Sequence, residues 1–505
     1  MKPYVLIILD GWGIRSEKRG NAIKLANTPV YDILRLNCPV SKLKASGEHV
    51  GLPEGFPGNS VQGHLNLGAG RVVKSILTKI NEMVESGDFM KNHALNKAIE
   101  NCKKHNSALH IMGLLSDEGI YSYDTHLYEI LNLCIMKDFI NVKLHIFCEE
   151  NFEENIDELK KNIEKYCGTI TTMSGKNYAM TNSWERTQTT YNAIVYGEGL
   201  KAENIKQALS EYGKEIQTLS DLNPIVFGNY EGIKENDSVI DFNFDRRSQT
   251  NLAKAFVEDK FEEFEREKLK ILFVPFVKYF EGLDNDEIYE NVKIAFDDYN
   301  LSNTLCEEIS KKGLKQLKIT EEFRFDYITY YFNGERSKNF EGEKGILIPS
   351  HISSPELVPE MRAKEMTNLA IENISNYNFV VINFPNADIV GHTGDLDAAI
   401  KAVEFIDTCL GNLLEAIKEK KGIAFITSDH GMAEKMVDDN FRKISIDSDD
   451  EVDFIIYNYE HSIDGEIVKG KQIKLKNGIL ADVAPTILKV MGIEKPKEMT
   501  GMSLL

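Results

Sequence analysis

Three runs of consecutive apolar residues have the pattern of buried parallel strands. They are YVLIIL at 4–9, FVVINF at 379–384 and GIAFIT at 422–427. Strands of a parallel sheet are covered on both faces, so they form continuous apolar runs rather than alternating ones. Between the last two runs, residues 396–420 carry apolar positions at helical spacing. A strand, a helix and a second strand in this order predict an α/β fold.

Each of these predicted strands runs into polar residues. Asp10 follows the first strand, Asp388 and His392 follow the second, and Asp429 and His430 follow the third. In open α/β sheets, ligands bind beyond the carboxyl ends of the strands. We therefore expect these five residues to meet at one site, although they come from opposite ends of the chain.

The middle of the chain predicts a second α/β domain that is inserted into the first. Its ends are expected near residues 71–74 and within 276–302, where the pattern leaves an ambiguity of a few residues. The elements predicted between them are helices over 76–104, 154–166 and 261–268, and strands over 109–115, 142–147 and 238–244.

Composition narrows the class of protein. The chain has 505 residues, of which 42% are hydrophobic, as in a globular protein of more than one domain. The balance of 59 basic against 79 acidic residues gives a net charge of −20, which argues against nucleic acid as a partner. A local basic pocket in an acidic protein can still bind a small anionic substrate.

The cysteines and the N-terminus indicate the compartment. The seven cysteines are scattered and form no CxxC pair, which is typical of reduced thiols in the cytosol. The apolar run at 5–9 is too short for a signal peptide or a membrane span. We expect a cytoplasmic protein that is not inserted in a membrane.

The side chains at the strand ends have the chemistry of metal ligands. Asp388 and His392 are four positions apart, which puts both on one face of a helical turn. Asp429 and His430 are adjacent, so their side chains diverge and suit different ions. Mixed nitrogen and oxygen ligands suit Mn²⁺ or Zn²⁺ more than Ca²⁺. Two such cations about 4 Å apart would clamp a phosphoryl group.

One serine is a candidate nucleophile for that site. The stretch FPGNSVQGHLNLGAGR at 56–71 sets Ser60 among glycines and asparagines. Glycine allows the backbone to approach a phosphate closely, and coordination by a cation would lower the pKa of the hydroxyl. His64, in the same stretch, suits either a hydrogen-bonding role at a helix start or a catalytic role.

Longer motifs extend over nearly the whole chain. They are LDGWG at 9–13, GNAIKLANTP at 20–29, VGLPEGFPGNS at 50–60, GHLNLGAGRVV at 63–73, GLLSDEG at 113–119, SGKNYAM at 174–180, VYGEG at 195–199, YFNGE at 331–335, DIVGHTG at 388–394, TSDHGMAE at 427–434 and LADVAPTIL at 480–488 with EMTGMSLL at 498–505. With this set the chain resembles the cofactor-independent (2,3-bisphosphoglycerate-independent) phosphoglycerate mutases of the alkaline phosphatase superfamily.

The resemblance implies a fold, a domain organisation and a cofactor. It implies a phosphatase-like metal-binding domain formed by 1–73 and 303–505, with a phosphotransferase and substrate-binding domain inserted at 74–302. It also implies a monomer that passes a phosphoryl group through Ser60 and holds two Mn²⁺ ions, with Zn, Co or Mg as alternatives. The implied ligands are Asp10, Ser60, Asp429 and His430 for one ion, and Asp388, His392 and a third residue for the other.

The chain departs from the family at that third ligand and in the inserted domain. The family's histidine ligand falls on Asp447, an oxygen ligand that Mn²⁺ also accepts. In the inserted domain, a family histidine is Tyr121, a family arginine is Lys176, and the Asp-Gly-Arg-Asp motif is replaced by residues 149–152. The groups expected to bind the substrate are therefore Lys176, Arg246, Arg247, Arg324, Tyr121 and Asn151.

These departures leave several functions open. The first is a metal-dependent phosphomutase acting through phospho-Ser60 on a small phosphorylated or phosphono hydroxy acid related to phosphoglycerate. This hypothesis is favoured because lysine does not reproduce the bidentate grip of arginine on an anion. The alternatives are a genuine mutase of 2- and 3-phosphoglycerate, a phosphatase, and a non-catalytic metal-stabilised binding protein. Glu149, Glu150 and Tyr121 are the candidates for the general acid and base.

Overall fold

The fold was analysed in a computed structural model of the chain. It describes all residues except 1, 150–158, 160, 162, 164, 166–167, 214–215, 217, 247, 286–287, 297–300, 351–353, 439, 441, 459 and 464–465, and of 461–468 only the backbone.

The described chain alternates strands and helices, as an α/β fold requires. The strands are β1 (Tyr4–Leu9), β2 (Gly13–Ile14), β3 (Val40–Lys44), β4 (Leu109–Leu114), β5 (Val142–Cys148), β6 (Gly168–Gly175), β7 (Leu200–Ala202), β8 (Ile225–Phe227), β9 (Ser238–Asp241), β10 (Leu272–Pro275), β11 (Gln316–Glu321), β12 (Glu343–Ile348), β13 (Phe379–Phe384), β14 (Ile423–Thr427), β15 (Glu451–Tyr457), β16 (Glu460–Ile463), β17 (Glu466–Lys469) and β18 (Gly478–Ile479). The α-helices include Ala22–Leu25, Pro29–Asn37, Ser60–Ala69, Ile76–Ser86, His93–His105, Asp124–Met136, Lys176–Ala179, Trp184–Tyr196, Ile205–Tyr212, Thr250–Val257, Leu305–Lys311, Ala363–Asn373, Asn386–Gly391, Leu396–Glu419 and Val483–Met491.

The chain folds into two compact units. The first unit comprises Met1–Ser75 and Tyr299–Leu505, and the second comprises Ile76–Asp298. The sequence-based boundaries, after residues 73 and 302, lie close to these divisions. Each unit contains its own large sheet, so the second unit is an α/β domain inserted into the first.

The first unit is built on a sheet of order β12-β11-β13-β1-β14-β15-β3-β18, with β2 paired to β15. Strand β1 lies at its centre and runs parallel to both β13 and β14. Successive side chains of β1 point to opposite faces: Val5, Ile7 and Leu9 join one apolar cluster, and Leu6 and Ile8 join another. Because both faces are covered, the strand is apolar throughout.

The second unit is built on a sheet of order β10-β9-β4-β5-β6-β8-β7. Strands β9, β4, β5 and β6 run parallel to one another, and β8 is antiparallel to β6. All six residues of β4 and all four of β9 are buried. The carboxyl ends of the parallel strands therefore share one edge, as in the first unit.

Most predicted elements are present, with two differences among the described residues. The helix predicted over 76–104 is two helices, Ile76–Ser86 and His93–His105, because Gly87 with φ of +76° ends the first. The helix predicted over 261–268 is wrong. Phe261 and Phe264 there pack edge-on against Trp184 at 5.5 and 6.5 Å between ring centroids, and this tertiary packing overrides the helical propensity of the charged residues between them.

Most of the helix predicted over 154–166 lies outside the described residues. In the part of the chain that the structure describes, no helix combines the length and the apolar character needed to cross a membrane.

Candidate functional site

The central strands of the first unit bring three aspartates to one edge of its sheet. Leu9 at the end of β1 lies opposite Phe384 at the end of β13, and Ile8 lies opposite Thr427 at the end of β14. Asp10, Asp388 and Asp429 follow these strand ends, and each has no exposed surface. Parallel neighbours with matched ends explain how residues so far apart in sequence come together.

Ser60 starts the helix Ser60–Ala69, whose N-cap is Asn59. The Asn59 side chain accepts a hydrogen bond from the backbone N–H of Gln62 at 2.9 Å. The Oγ of Ser60 lies 2.9 Å from Nε2 of His430. A side chain at a helix N-terminus is close to backbone N–H groups that favour an anion such as a phosphate. Ser60 is therefore placed where a phosphoryl group would be stabilised.

His430 joins Ser60 to two carboxylates. Its Nε2 is 3.5 Å from Asp10 Oδ1 and 3.5 Å from Asp429 Oδ2. Its Nδ1 contacts the carbonyl oxygen of Gly431 at 3.2 Å, and because a carbonyl only accepts, Nδ1 carries the proton in the neutral ring. The lone pair of Nε2 is then directed at Ser60 and the carboxylates, as a metal ligand requires.

A second group of ligand-type side chains lies beside the first. The Nε2 of His392 is 3.2 Å from Asp388 Oδ1 and 3.2 Å from Asp447 Oδ1. Its Nδ1 lies 2.7 Å from the carbonyl oxygen of Ser445, which again leaves Nε2 as the nitrogen with a lone pair. Asp447, the position of the departure from the family's histidine, is thus next to His392 and Asp388.

The carboxylates of the site lack hydrogen-bond donors for some of their buried oxygens. One buried oxygen of each accepts no hydrogen bond from the described residues: Oδ1 of Asp10, Oδ1 of Asp388, Oδ2 of Asp429 and Oδ1 of Asp447. Buried polar atoms are normally satisfied, so four such oxygens in one cluster are exceptional. Ligand atoms of Asp10, Asp388 and His430, and those of Asp388, His392 and Asp447, lie within 4.8 Å of one another. This donor set fits two divalent cations.

The electrostatics agree with a site built for positive charge. Burial alone would lower the pKa of His392, but the carboxylates of Asp388 and Asp447, each 3.2 Å from its Nε2, raise that pKa to about 10. Burial opposes protonation of His430 as well, yet Asp429 and Asp447 hold its pKa well above the ordinary value. Burial and the nearby Asp10 raise the pKa of Asp429. The negative charge is therefore concentrated enough to draw cations to the site.

His64 is a member of the site that the sequence left undecided. Its Nδ1 lies 2.8 Å from the backbone oxygen of Ser60 and 3.1 Å from Asp429 Oδ2, and its Nε2 lies 3.0 Å from Asn383 Oδ1. His64 thus links the helix of Ser60 to the end of β13, through Asn383, and to the residues after β14, through Asp429. The signal that could have found it is its position four residues after Ser60, on the same helical face.

Arg324, one of the groups that the sequence predicts to bind substrate, lies in the first unit. Its side chain is buried against Asp10 and Asp388. It follows the end of β11, a strand of the same sheet. Its neighbours are two of the predicted metal ligands, a contact that no local pattern in the sequence indicates.

The remaining predicted substrate groups lie in the second unit. The Nζ of Lys176 donates to Glu149 Oε2 at 3.0 Å and lies 4.1 Å from the centre of the Tyr121 ring. Glu149 and Lys176 directly follow β5 and β6. Arg246 follows residues 244 and 245, whose backbone N–H groups donate to the backbone oxygen of Tyr121. Asn151 and Arg247 lie outside the described residues.

Known proteins resemble this chain along its whole length. The sequence pattern of the Metalloenzyme superfamily matches residues 2–495. The chain is 42% identical over 528 aligned positions to the 2,3-bisphosphoglycerate-independent phosphoglycerate mutase of Methanococcoides burtonii, covering all of this chain and 98% of that protein. It is 41% identical to the enzyme of the same name from Clostridium botulinum, covering all of this chain and 99% of that protein.

A solved structure shows the same architecture. Phosphoglycerate mutase of Leishmania mexicana, crystallised at low cobalt concentration, superimposes with a TM-score of 0.85 at 25% identity, covering all of this chain and 97% of that one. The superfamily match defines a metalloenzyme. The chain belongs to the family of 2,3-bisphosphoglycerate-independent phosphoglycerate mutases.

Membership in this family settles several predictions. The predicted resemblance and the α/β fold are confirmed. The protein is an enzyme of the isomerase class that transfers a phosphoryl group within one molecule, in a superfamily that depends on divalent cations. The expectation of a substrate other than phosphoglycerate receives less support than the alternative, because the full-length relatives are named phosphoglycerate mutases.

Proposed function

We propose that the protein interconverts 2-phosphoglycerate and 3-phosphoglycerate by passing the phosphoryl group through Ser60. The observation that carries this proposal is the 2.9 Å contact between Ser60 Oγ and His430 Nε2, beside carboxylates with unpaired oxygens. The full-length relatives named for this reaction support the substrate. The names of the relatives thus favour phosphoglycerate among the substrates that the fold alone would accept.

The proposed ligands of the two cations are those that the family resemblance implies, and their side chains lie close together. Asp10, Ser60, Asp429 and His430 would hold one, and Asp388, His392 and Asp447 would hold the other. When bound, the cations supply positive charge that stabilises the phosphoryl group and lowers the pKa of the Ser60 hydroxyl. The oxygen-rich second set favours manganese, with zinc, cobalt or magnesium as alternatives.

The covalent steps involve only this chain and the substrate. Ser60 Oγ loses its proton and forms a bond to phosphorus while the bond from phosphorus to one glycerate oxygen breaks, and that oxygen takes a proton. The other glycerate hydroxyl then loses a proton and attacks phosphorus, the bond from phosphorus to Ser60 Oγ breaks, and Ser60 Oγ regains a proton. Glu149 and Tyr121 are the candidates for carrying these protons, and Lys176 and Arg246 for binding the carboxylate. Both steps are in-line displacements in which positioning and charge dominate.

A second candidate function rests on one specific contact. Lys176 stands where the resembling family has an arginine, and its ammonium is already paired with Glu149 at 3.0 Å. A single ammonium cannot form the two parallel hydrogen bonds that a guanidinium offers to a carboxylate or phosphate. This contact favours a related phosphorylated or phosphono hydroxy acid as substrate.

The test is phosphorus NMR of the purified protein with Mn²⁺ and 3-phosphoglycerate, with Ser60→Ala alongside. A new 2-phosphoglycerate resonance that requires Ser60 supports the proposed reaction. Inorganic phosphate alone would indicate a phosphatase. No change in a protein that binds two Mn²⁺ would support the second candidate, and a panel of phosphorylated and phosphono acids would identify its substrate.

We place this reaction in the cytoplasm and assign it to a monomer. The six described cysteines are free thiols, which agrees with a reducing compartment. Both sets of proposed cation ligands come from the first unit of one chain, so a second copy is not needed to complete them. Light scattering during size-exclusion chromatography would measure the molar mass and test this assignment.

A further inference from the structure

Arg324 joins the two proposed cation sites through one guanidinium group. Its Nε donates to Asp10 Oδ2 at 2.8 Å, and its Nη2 donates to Asp388 Oδ2. Asp10 belongs to the first proposed ligand set and Asp388 to the second. The arginine side chain is 10% exposed, and both carboxylates are fully buried. One fixed positive charge therefore pairs with one ligand of each cation.

The contacts of Arg324 divide the carboxylate oxygens into two groups. Oδ2 of Asp10 also accepts a hydrogen bond from Asn383 Nδ2 at 2.9 Å, so this oxygen accepts two hydrogen bonds. The other oxygen of each carboxylate, Oδ1, accepts no hydrogen bond. These two Oδ1 atoms lie 3.5 and 3.7 Å from Nε2 of His430. The guanidinium thus holds both carboxylates with their free oxygens toward the histidine.

The charge of Arg324 opposes the charge of the cations that these oxygens fit. A guanidinium stays protonated at every ordinary pH, unlike a histidine. It compensates Asp10 and Asp388 when no cation is bound, and it repels cations that bind to the same two carboxylates. Its two effects on cation binding are opposite in sign, since orientation of the ligands favours binding and charge disfavours it.

We propose that Arg324 is a resident counter-ion of the two-cation site, which stabilises the metal-free protein and lowers the affinity for both cations. This inference rests on the cation site of the proposed function. It assigns Arg324 a positioning and charge-compensating role in place of the substrate contact expected from the sequence. We expect the effect of the charge of Arg324 on cation affinity to exceed its effect on ligand orientation. Removing one partner of a buried ion pair leaves uncompensated charges, which strongly destabilises the metal-free protein.

The variant Arg324→Gln separates the two effects. In the metal-free variant, two buried carboxylates lose the guanidinium that compensates their charge, so the melting temperature falls below that of the parent. Bound Mn²⁺ replaces this lost positive charge, so the difference in melting temperature between variant and parent is much smaller when both proteins are loaded. By linkage, the affinity for Mn²⁺ rises, and we expect a decrease in the dissociation constant of about tenfold or more.

The experiment is calorimetric titration of the chelator-treated proteins with Mn²⁺, combined with thermal unfolding with and without Mn²⁺. Arg324→Lys keeps the charge but lacks the fork that spans two carboxylates, so its dissociation constant should lie between those of the parent and Arg324→Gln. Arg336→Gln is the matched control. It removes an exposed arginine of the same unit, whose Nε donates to the Lys338 oxygen at 2.9 Å, and it should match the parent.

The outcomes separate this inference from the proposed function. Equal or weaker Mn²⁺ binding by Arg324→Gln, in a parent that binds two ions, overturns the counter-ion role and leaves the proposed function standing. A parent that binds no Mn²⁺ overturns both. If Arg324→Gln folds only with Mn²⁺, the affinity is measured by chelator competition on the loaded protein, and resistance to the chelator above that of the parent supports the inference.

Discussion

Ser60 and His430 are 370 positions apart in the chain, yet Ser60 Oγ lies 2.9 Å from His430 Nε2. Two glycines make this approach possible. A Cβ atom on Gly58 would lie 2.8 Å from the Cβ of His430, and one on Gly63 would lie 2.4 Å from the backbone oxygen of Asp429. The helix of Ser60 therefore rests directly on the segment that follows β14, because no side chain separates them.

Gly63→Ala should separate these two segments. The added methyl group meets the backbone of Asp429, which cannot yield as a flexible side chain would. We expect the free energy of unfolding to fall by about 1–3 kcal/mol, the usual cost of overpacking, and the Mn²⁺ affinity to fall with it. Gly213→Ala is the control, since its methyl group would meet only leucine side chains at 3.8 Å or more. Equal melting temperatures for Gly63→Ala and the parent would contradict this packing.

Asp447→Ala should affect one of the two cations selectively. Asp447 Oδ1 is 3.2 Å from His392 Nε2 and has no hydrogen-bond donor. We expect the second Mn²⁺ to bind about tenfold or more weakly, since even indirect supports of a metal site cost that much. Calorimetric titration measures the stoichiometry and both affinities. The control is Asp449→Ala, which removes an exposed carboxylate that pairs with Lys435 at 3.3 Å.

Asp447→His tests which metal the second ligand set prefers. A carboxylate oxygen suits Mn²⁺, while an imidazole nitrogen suits Zn²⁺ better. We expect this variant to gain affinity for Zn²⁺ relative to Mn²⁺ in competitive titrations. An unchanged ratio of the two affinities would mean that residue 447 is not a ligand.

Lys176→Gln should weaken the binding of an anionic substrate. The substitution removes the ammonium group that lies between Glu149 and the Tyr121 ring. We expect KM to rise about tenfold or more, the cost of losing a hydrogen bond to a charged group, with a smaller change in kcat. Initial rates at varied substrate concentration measure both. Lys234→Gln, at an exposed lysine of the same unit that pairs with Glu231 at 3.8 Å, should leave KM unchanged.

Asp241 gives the second unit a predictable dependence of stability on pH. Burial raises the pKa of this carboxyl to about 8 from an ordinary 3.8, and its Oδ2 has no hydrogen-bond donor. Between these values the folded protein holds a proton that the unfolded chain has lost. The free energy of unfolding therefore decreases as pH rises through this window, by at most about 1.4 kcal/mol per pH unit, and levels off above pH 8.

Asp241→Asn removes that titration and keeps the acceptor for the N–H of Asn243. The variant should become more stable relative to the parent as pH rises from about 5 to about 8. Urea unfolding at several pH values measures the difference, with Asp284→Asn as an exposed control in the same unit. A difference between variant and parent that stays constant over this range would show that Asp241 is ionised in the folded protein.

The strand ends of the first unit could be predicted because parallel strands impose a strong rule. Asp10, Asp388 and Asp429 each follow a continuous apolar run, and such runs end at one edge of a parallel sheet. The pattern of glycines and asparagines around Ser60 indicates a candidate nucleophile, although nothing in it shows which strand ends Ser60 approaches. Asp447 required the resemblance to a family.

Other features depend on tertiary contacts that no local pattern encodes. The partner of His64, Asp429, comes from the far end of the chain, and the guanidinium of Arg324 contacts carboxylates that follow two other strands. The segment 261–268 has helical propensity, but its phenylalanines pack against Trp184 and the segment is not helical. In each case a contact distant in sequence decides the outcome.

Transfer through Ser60 is tested most directly by stopping the reaction with acid during turnover of 3-phosphoglycerate and Mn²⁺, then measuring peptide masses. The account predicts one phosphate on the peptide that contains Ser60, and neither this phosphate nor 2-phosphoglycerate with Ser60→Ala. Formation of 2-phosphoglycerate by Ser60→Ala at the parent's rate would contradict it.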